Sequence, residues 1–392
     1  MSDAWLLAGA RTPIGRFLGE LKDVPAPELA ATTIRASLER AGLEPGAVQE
    51  VFLGNVVWAG VGQAPARQAA LKAGIPPAVP ATTVNMVCGS GLKAVMLASQ
   101  SVRLGENSVV VAGGMENMSL APHLVRNSRE GFRLGNVTMD DAVVHDGLWC
   151  AADNCHMGIH AEWTAGEHGL TREDLDRYSA RSQQLAAAAA AAGEFADEIV
   201  PVKVKAKKEQ RIISVDEGPR PGTTAEGLAR LRPVFDPEGM VTAGNASPLS
   251  DGAATVIVAD DATAAASAAP WKARIVASYI SGLEPRQLFV APILAVRGVL
   301  EKAGLKQKDI DLFEINEAFA SQMLACIQEL NLDLERVNVC GGAIALGHPI
   351  GASGARVLVT LLSAMVRRDV QRGLATLCLG GGNAVAMIVE RT

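Results

Sequence analysis

No uninterrupted run of apolar residues in this chain is long enough to read as a membrane span. The longest, Leu185 to Ala192, is nearly all alanine and is flanked by polar residues, which predicts a surface helix. The N-terminal stretch carries Asp3 and runs straight into Trp5-Leu-Leu-Ala-Gly-Ala-Arg-Thr-Pro13, a pattern of first strand and turn without a basic n-region or cleavage site. Export is therefore not expected. Cysteine is also scarce: six residues, at 88, 150, 155, 326, 340 and 378, do not make a disulfide framework in 392 residues, so a reducing cytoplasm is expected. Basic charge is not in excess either. Lys and Arg number 36 against 42 Asp and Glu, and the net charge of -6 argues against nucleic acid or an anionic membrane as a general partner. An anionic ligand would need a local basic patch.

What is present is a long, glycine-rich chain. At 392 residues two or three folding units are expected, and 49% hydrophobic with 20% charged and 39 glycines suits a soluble α/β protein. The chain also echoes itself. Leu38-Glu-Arg-Ala-Gly-Leu43 followed by an apolar run through Val51, Phe52 and Leu53 returns as Leu300-Glu-Lys-Ala-Gly-Leu305 followed by Leu312, Phe313 and Ile315. Val84-Asn-Met-Val-Cys-Gly89 returns as Val337-Asn-Val-Cys-Gly341, and Val109-Val-Val-Ala-Gly-Gly114 as Leu377-Cys-Leu-Gly-Gly381. Three matches in one order imply two copies of a βα-rich unit, with helices covering a parallel or mixed sheet. Between the copies, from roughly Leu120 to Ala243, lies a stretch of different character holding five of the six histidines and the basic run Lys203-Val-Lys-Ala-Lys-Lys208. It reads as an inserted loop domain, far longer than an ordinary connection. Ala253 to Ala259 then reads as the last strand of the first copy.

Four residues stand out as candidates for chemistry. Cys88 lies where an apolar, β-prone run stops and a helix-compatible one begins; a thiol at a helix start faces free N–H groups, which lowers its pKa, and Gly89 and Gly91 would let a substrate carbonyl approach. Against this, a buried cysteine is more often an inert small hydrophobe. Cys340, its echo, reads as a structural shadow. His348 sits between Gly347 and Pro349 in a loop rich in glycine, which suits a base; the rival, a phosphate-cradling loop, lacks both a Gly-Lys-Ser/Thr ending and a G-x-G-x-x-G context. Cys378 precedes three glycines whose N–H groups can face a developing oxyanion. Asn316 ends an echoed strand, where it would orient water or cap a helix.

Taken together, Cys-Gly-Ser-Gly, Asn-Glu-Ala-Phe, Gly-His-Pro-x-Gly-x-Ser-Gly and Cys-x-Gly-Gly-Gly stand in the order and approximate spacing of the thiolase family, and the resemblance runs across the whole chain. Gly347 to Arg356 and His156-Met-Gly158 are similar to the acetoacetyl-CoA-forming branch. The resemblance implies a layered αβαβα fold of two similar α/β halves, residues 1–119 with 244–270 and residues 271–392, around an inserted loop domain at 120–243. It implies an acetyl-CoA C-acetyltransferase in which Cys88, activated by His348, carries the acyl group and Cys378 handles the α-proton of a second acetyl-CoA. Cys88 and Gly380 N–H would form one oxyanion site, and His348 with a water on Asn316 the other. A longer-chain 3-oxoacyl-CoA thiolase and a non-catalytic acyl-CoA or lipid binder are the alternatives.

For coenzyme A, the resemblance implies contacts from Ser247, His156, Met157, Arg220, Leu148, Phe235, Ala318 and Phe319, with no permanently bound cofactor and no metal. The run from Lys203 to Arg211 would face the nucleotide or be a solvated hairpin face. Cys150, Cys155, His156 and His160 have the spacing Cys-x4-Cys-His-x3-His, which is not a standard zinc spacing. The segment Asn127 to Met139 resembles the family's tetramer-forming loop, implying a homotetramer. The chain departs from the family at Leu288-Phe-Val-Ala-Pro292, where two glycines have become larger residues, at Gly382-Asn-Ala384 and at Met86-Val87, so the acyl-chain preference is the open property.

Overall fold

The computed structural model describes residues 2–206 and 209–391. The first half contributes β1 (Trp5–Arg11), β2 (Glu50–Gly54), β3 (Ala81–Val84), β4 (Val109–Asn117) and β5 (Ser250–Ala259); the second contributes β6 (Ala273–Gly282), β7 (Leu312–Ile315), β8 (Arg372–Leu379) and β9 (Asn383–Arg391). They form one mixed sheet whose path is β7-β8-β9-β6-β1-β5-β4-β2-β3. The sequence echo is visible in the pairing. In each half the two echoed strands are parallel neighbours, β2 with β4 and β7 with β8, and the next strand, β5 or β9, runs antiparallel. The first half adds β3 beside β2, whereas its counterpart in the second shrinks to a single parallel bridge between Phe313 and Val337. The halves join where β1 meets β6 through Trp5–Arg274 and Leu6–Ala273.

Seven helices position the site: α1 (Ala26–Ala41), α2 (Ser90–Leu104), α3 (Met157–Glu167), α4 (Arg172–Ala191), α5 (Ala291–Ala303), α6 (Ala320–Leu330) and α7 (Ile350–Arg367). Both echoed helix ends stop the same way, with Gly42 after α1 and Gly304 after α5 in the left-handed conformation that spares a glycine the Cβ clash. α1 covers β1 and β5 from outside, and α5 covers β6 and β9. Between the half-sheets lie α2 and α7, packed on each other, with α7 touching β4 and β5 on one side and β7 and β8 on the other. The layers are thus α, β, α, β, α, as the resemblance implies.

The central pair is packed backbone to backbone. A Cβ on Gly91 would stand 2.7 Å from the Ala355 nitrogen, and one on Gly354 2.3 Å from the Leu92 nitrogen. Gly91 therefore serves helix contact, not the approach of a substrate, and Gly89 likewise faces the Leu379 side chain. α7 has a mean hydropathy of 1.3 over 18 residues and meets the length and composition of a membrane span, yet 89% of it is buried inside the protein. Its Gly, Ser, Thr and Arg residues break up the apolar run, which is why the sequence does not advertise it. The alanine-rich run belongs to α4, opened by a Thr171–Asp174 capping box; Ala188, Ala190 and Ala191 are exposed, while Ala186 and Ala189 on the other face are buried, Ala186 against Gly341. Small side chains allow that close seating.

Candidate active site

β3 ends at Val84 and the chain makes a tight turn before α2, with Val87 at φ +47°, a strained conformation for a β-branched residue. The turn is held by three side-chain hydrogen bonds beside its backbone bonds. Val87 N–H donates to Asn85 Oδ1 (3.0 Å), Met86 N–H donates to Ser90 Oγ (2.8 Å), and that hydroxyl donates to the Val87 carbonyl (2.6 Å). Cys88 follows directly and borders a cavity of about 450 Å³ between the two halves. Here the expected pKa shift is reversed. Burial pushes the Cys88 thiol up to about 12, with the N–H groups of Gly380 and Cys88 itself pulling the other way. Desolvation of the thiolate outweighs the helix end, because Cys88 precedes the cap Gly89 and is only 6% exposed.

The second half brings His348 and Cys378 to the same cavity. Burial, aided by the positive charge of Arg356, draws the His348 imidazole down to about 3, so it is neutral at rest. Its Nδ1 is 2.6 Å from Ser353 Oγ, and that hydroxyl is 2.9 Å from the Pro349 carbonyl. With the single hydroxyl proton given to the carbonyl, Nδ1–H is the donor and Nε2 keeps the lone pair. Cys378, near the end of β8, is 1% exposed, and its thiol is pushed well above the ordinary value by burial, with Cys88 and Cys326 adding to the effect.

Asn316 follows β7 and is fully buried, its Nδ2 3.5 Å from both ring nitrogens of His348. It caps no helix, since α6 opens at Phe319 without a side-chain cap. A Cβ on Gly380 would come within 2.6 Å of Met157 Cε, so a larger residue there would push the end of that side chain aside. Cys340 does not line the cavity; its Sγ is 3.2 Å from both Glu194 Oε2 and Arg367 Nη2.

Leu148, His156, Met157, Arg220, Phe235, Ser247, Ala318 and Phe319 all border the same cavity. His156 stacks on Phe235 with ring centres 4.6 Å apart, and Phe319 meets Phe235 and Phe289 edge-on. The Ser247 N–H donates to the Ala318 carbonyl (3.0 Å), tying the segment that returns to the first half to the second half. An adjoining groove of about 400 Å³ shares Arg220, Ala243, Pro248 and Leu249 and adds Arg16. The lysine run lies elsewhere: Lys203 and Lys205 line a separate groove beside Glu28, Arg211 pairs with Glu20 at 2.9 Å, and Lys207 and Lys208 fall outside the described residues.

Sequence reasoning missed Ser353, quoted only as part of a motif, and Glu116, whose carboxylate accepts N–H groups of Val56, Val57 and Gly351 behind the site and is pushed up to about 7 by burial. A lone glutamate ending the wholly apolar run of β4 was the available signal. Of the departures from the family pattern, Leu288 and Phe289 line the cavity, while Met86, Val87, Asn383 and Ala384 do not. The four-residue zinc spacing resolves differently as well. His156 turns into the cavity, and Cys150, Asp153 and His160 come together outside it.

Paired buried thiols and a neutral histidine, set between duplicated α/β halves, are an arrangement suited to acyl transfer through a cysteine. A family model for the thiolase N-terminal domain matches residues 5–262, and one for the thiolase C-terminal domain matches 269–391. The chain belongs to the thiolase family. It is 53% identical over 392 residues to an acetyl-CoA acetyltransferase of Pseudomonas aeruginosa and 50% identical to one of Cupriavidus necator, covering 100% of each chain. The crystal structure of the Bacillus anthracis acetyl-CoA acetyltransferase superposes with a TM-score of 0.98 at 41% identity, over 100% of this chain and 99% of that one. The human mitochondrial 3-ketoacyl-CoA thiolase gives 0.96 at 40% identity, over the same shares. Within the family the chain stands in the acetyl-CoA acetyltransferase branch.

Proposed function

We propose that this enzyme is an acetyl-CoA C-acetyltransferase that condenses two acetyl-CoA molecules, reversibly, to acetoacetyl-CoA and CoA. The observation that carries the reading is the meeting of Cys88, His348 and Cys378 in one cavity lined by apolar groups. His348 Nε2 takes the proton as Cys88 Sγ attacks the thioester, and Gly380 and Cys88 N–H groups receive the oxyanion. Cys378, a thiol at rest, delivers its proton to the departing CoA sulfur. It is then the thiolate that takes the α-proton of the second acetyl-CoA. The enolate oxygen meets His348, now protonated, and a water on Asn316, whose buried Oδ1 has no partner among the described residues. Collapse onto the acyl group expels Cys88, which recovers its proton from His348.

Leu288 and Phe289 line the cavity and pack in one apolar cluster with Cys378, which supports a short acyl group over longer 3-oxoacyl chains. The complete set of reactive groups counts against a non-catalytic binder. No metal and no permanently bound cofactor takes part in these steps. The proposal includes a homotetramer, supported by Phe132, Leu134 and Met139, exposed on the loop 127–139, and action in a reducing cytoplasm, supported by six free thiols. It also includes the division at 1–119 with 244–270, 120–243 and 271–392. Incubation with acetyl-CoA followed by intact-mass measurement tests the function: an acetyl adduct lost in Cys88→Ser is expected, and absence of any adduct refutes it. Thiolysis of acetoacetyl-CoA against a longer homologue then reads the chain preference.

A further inference from the structure

A second cluster of reactive side chains lies just outside the catalytic cavity, under the wall that carries His156 and Met157. The chain doubles back there as a hairpin, with Trp149 opposite His156 and Cys150 directly opposite Cys155, and then enters α3. His160, one turn into α3, is 1% exposed. Its Nε2 stands 3.0 Å from Asp153 Oδ2 and 3.3 Å from Cys155 Sγ. The Asp153 N–H donates to Cys150 Sγ at 3.5 Å, and the ligand atoms of Cys150, Asp153 and His160 all lie within 4.8 Å of one another. None of these four residues borders the catalytic cavity, and none is used in the acyl-transfer steps.

We propose that Cys150, Asp153, Cys155 and His160 form a binding site for a thiophilic divalent cation of the zinc class. Bonds of about 2.0–2.3 Å in a tetrahedron put neighbouring ligand atoms roughly 3.3–3.8 Å apart. The contacts around His160 Nε2 are already close to that spacing, Cys150 Sγ lies within 4.8 Å of its partners, and Cys155 Sγ, near His160 Nε2 but outside that mutually close group, has to move inward to complete the tetrahedron. Two sulfurs with an imidazole and one carboxylate select zinc or cobalt over magnesium or calcium, which prefer all-oxygen sites. Nδ1 of the same ring is buried without a partner among the described residues, so Nε2 is the atom with ligand chemistry around it. Binding displaces the thiol protons of Cys150 and Cys155 to solvent and ties the hairpin to α3. His156 and Met157 lie between the two anchor points, so occupancy stiffens the wall that faces the acyl-CoA cavity.

Cobalt(II) is the probe. The full chain carrying Cys88→Ser and Cys378→Ser, which removes the catalytic thiols from the readout, is reduced, stripped with a chelator and titrated with cobalt chloride. The expected result is a thiolate-to-cobalt absorption band in the near ultraviolet, with tetrahedral visible bands, saturating at one cobalt per chain and abolished by zinc. Cys150→Ser, Cys155→Ser and His160→Asn, each added separately, should weaken cobalt binding by more than roughly tenfold, the loss typical of an outer-shell partner alone. Where His160→Asn fails to fold, the Cys150→Ser and Cys155→Ser titrations decide. The proposal is overturned if the reduced parent gives no saturable band, if the band survives all the folded variants, or if cobalt binds only without sulfur ligation. A Cys150–Cys155 disulfide whose reduced form takes up no cobalt overturns it equally.

Discussion

Removing one hydroxyl, in Ser353→Ala, should slow acylation of Cys88 while leaving the fold in place. Ser353 Oγ accepts from His348 Nδ1 at 2.6 Å and donates to the Pro349 carbonyl at 2.9 Å, and the residue is fully buried. That bond holds the tautomer with Nε2 free. Without it the Nδ1–H form is left as a buried donor without an acceptor, a penalty of about 1–3 kcal/mol, whereas the opposite tautomer, useless as a base toward Cys88, carries no such penalty. At about 1.4 kcal/mol per tenfold, the acylation rate should fall by roughly 5- to 150-fold. The lost bond to Pro349 removes only one first-turn contact from α7, about 1 kcal/mol of stability. The assay is single-turnover transfer from acetyl-CoA, followed by rapid-quench intact mass, beside a thermal melt. A rate equal to that of the wild type, with the melt unchanged, would refute the assignment of the tautomer and with it the role given to Nε2. A collapse of the melt with an unchanged rate per folded molecule would do the same.

Four other outcomes are expected. In Gly354→Ala the new Cβ meets the Leu92 nitrogen at 2.3 Å, and because backbone cannot swing aside, overpacking of about 3 kcal/mol or more outweighs the helix-propensity gain of about 1 kcal/mol; chemical denaturation should show a net loss, and a stabilised variant would contradict the packing. With His348 held down to about 3 from 6.5, the unfolded chain binds a proton below pH 6.5 that the folded site refuses. Stability should therefore fall as pH drops through that window, by up to about 1.4 kcal/mol per unit, and His348→Asn should flatten part of that slope; parallel urea-midpoint profiles would rule this out. For the same reason kcat/KM for acylation should show no inflection near 6.5. Asn316→Ala removes one support of the second oxyanion site, so condensation should drop by roughly 10²–10³-fold while single-turnover acetylation of Cys88 stays within a few-fold; equal losses in both would mean that Asn316 serves the whole site.

Some of the surprises have one origin. A thiol at a helix start, as Cys88 is in the sequence, would have a lowered pKa, but burial pushes it up to about 12, because desolvation depends on what the rest of the chain packs around the sulfur. Gly91 looks like a substrate-facing glycine next to a nucleophile, and only the α2–α7 contact shows what it faces. Cys150 and His160 do not match a metal spacing in linear order, because a hairpin followed by a helical turn brings them together. Each outcome depends on residues far away in sequence or on a local path that spacing rules do not describe.

The order of the chain by itself determined the duplication, the α/β alternation and the set Cys88, Asn316, His348 and Cys378, since these rest on local patterns of strand, glycine and reactive side chain that repeat or match a family. It also named eight of the residues that border the cavity. Only the tertiary structure decided which of the echoed cysteines, Cys88 or Cys340, opens onto that cavity, in which protonation state the thiols and the imidazole rest, and which of the altered positions line it. Burial and close approach are properties of surroundings, and the surroundings of Cys88 are built from β8, α7 and α3, which lie far away along the chain.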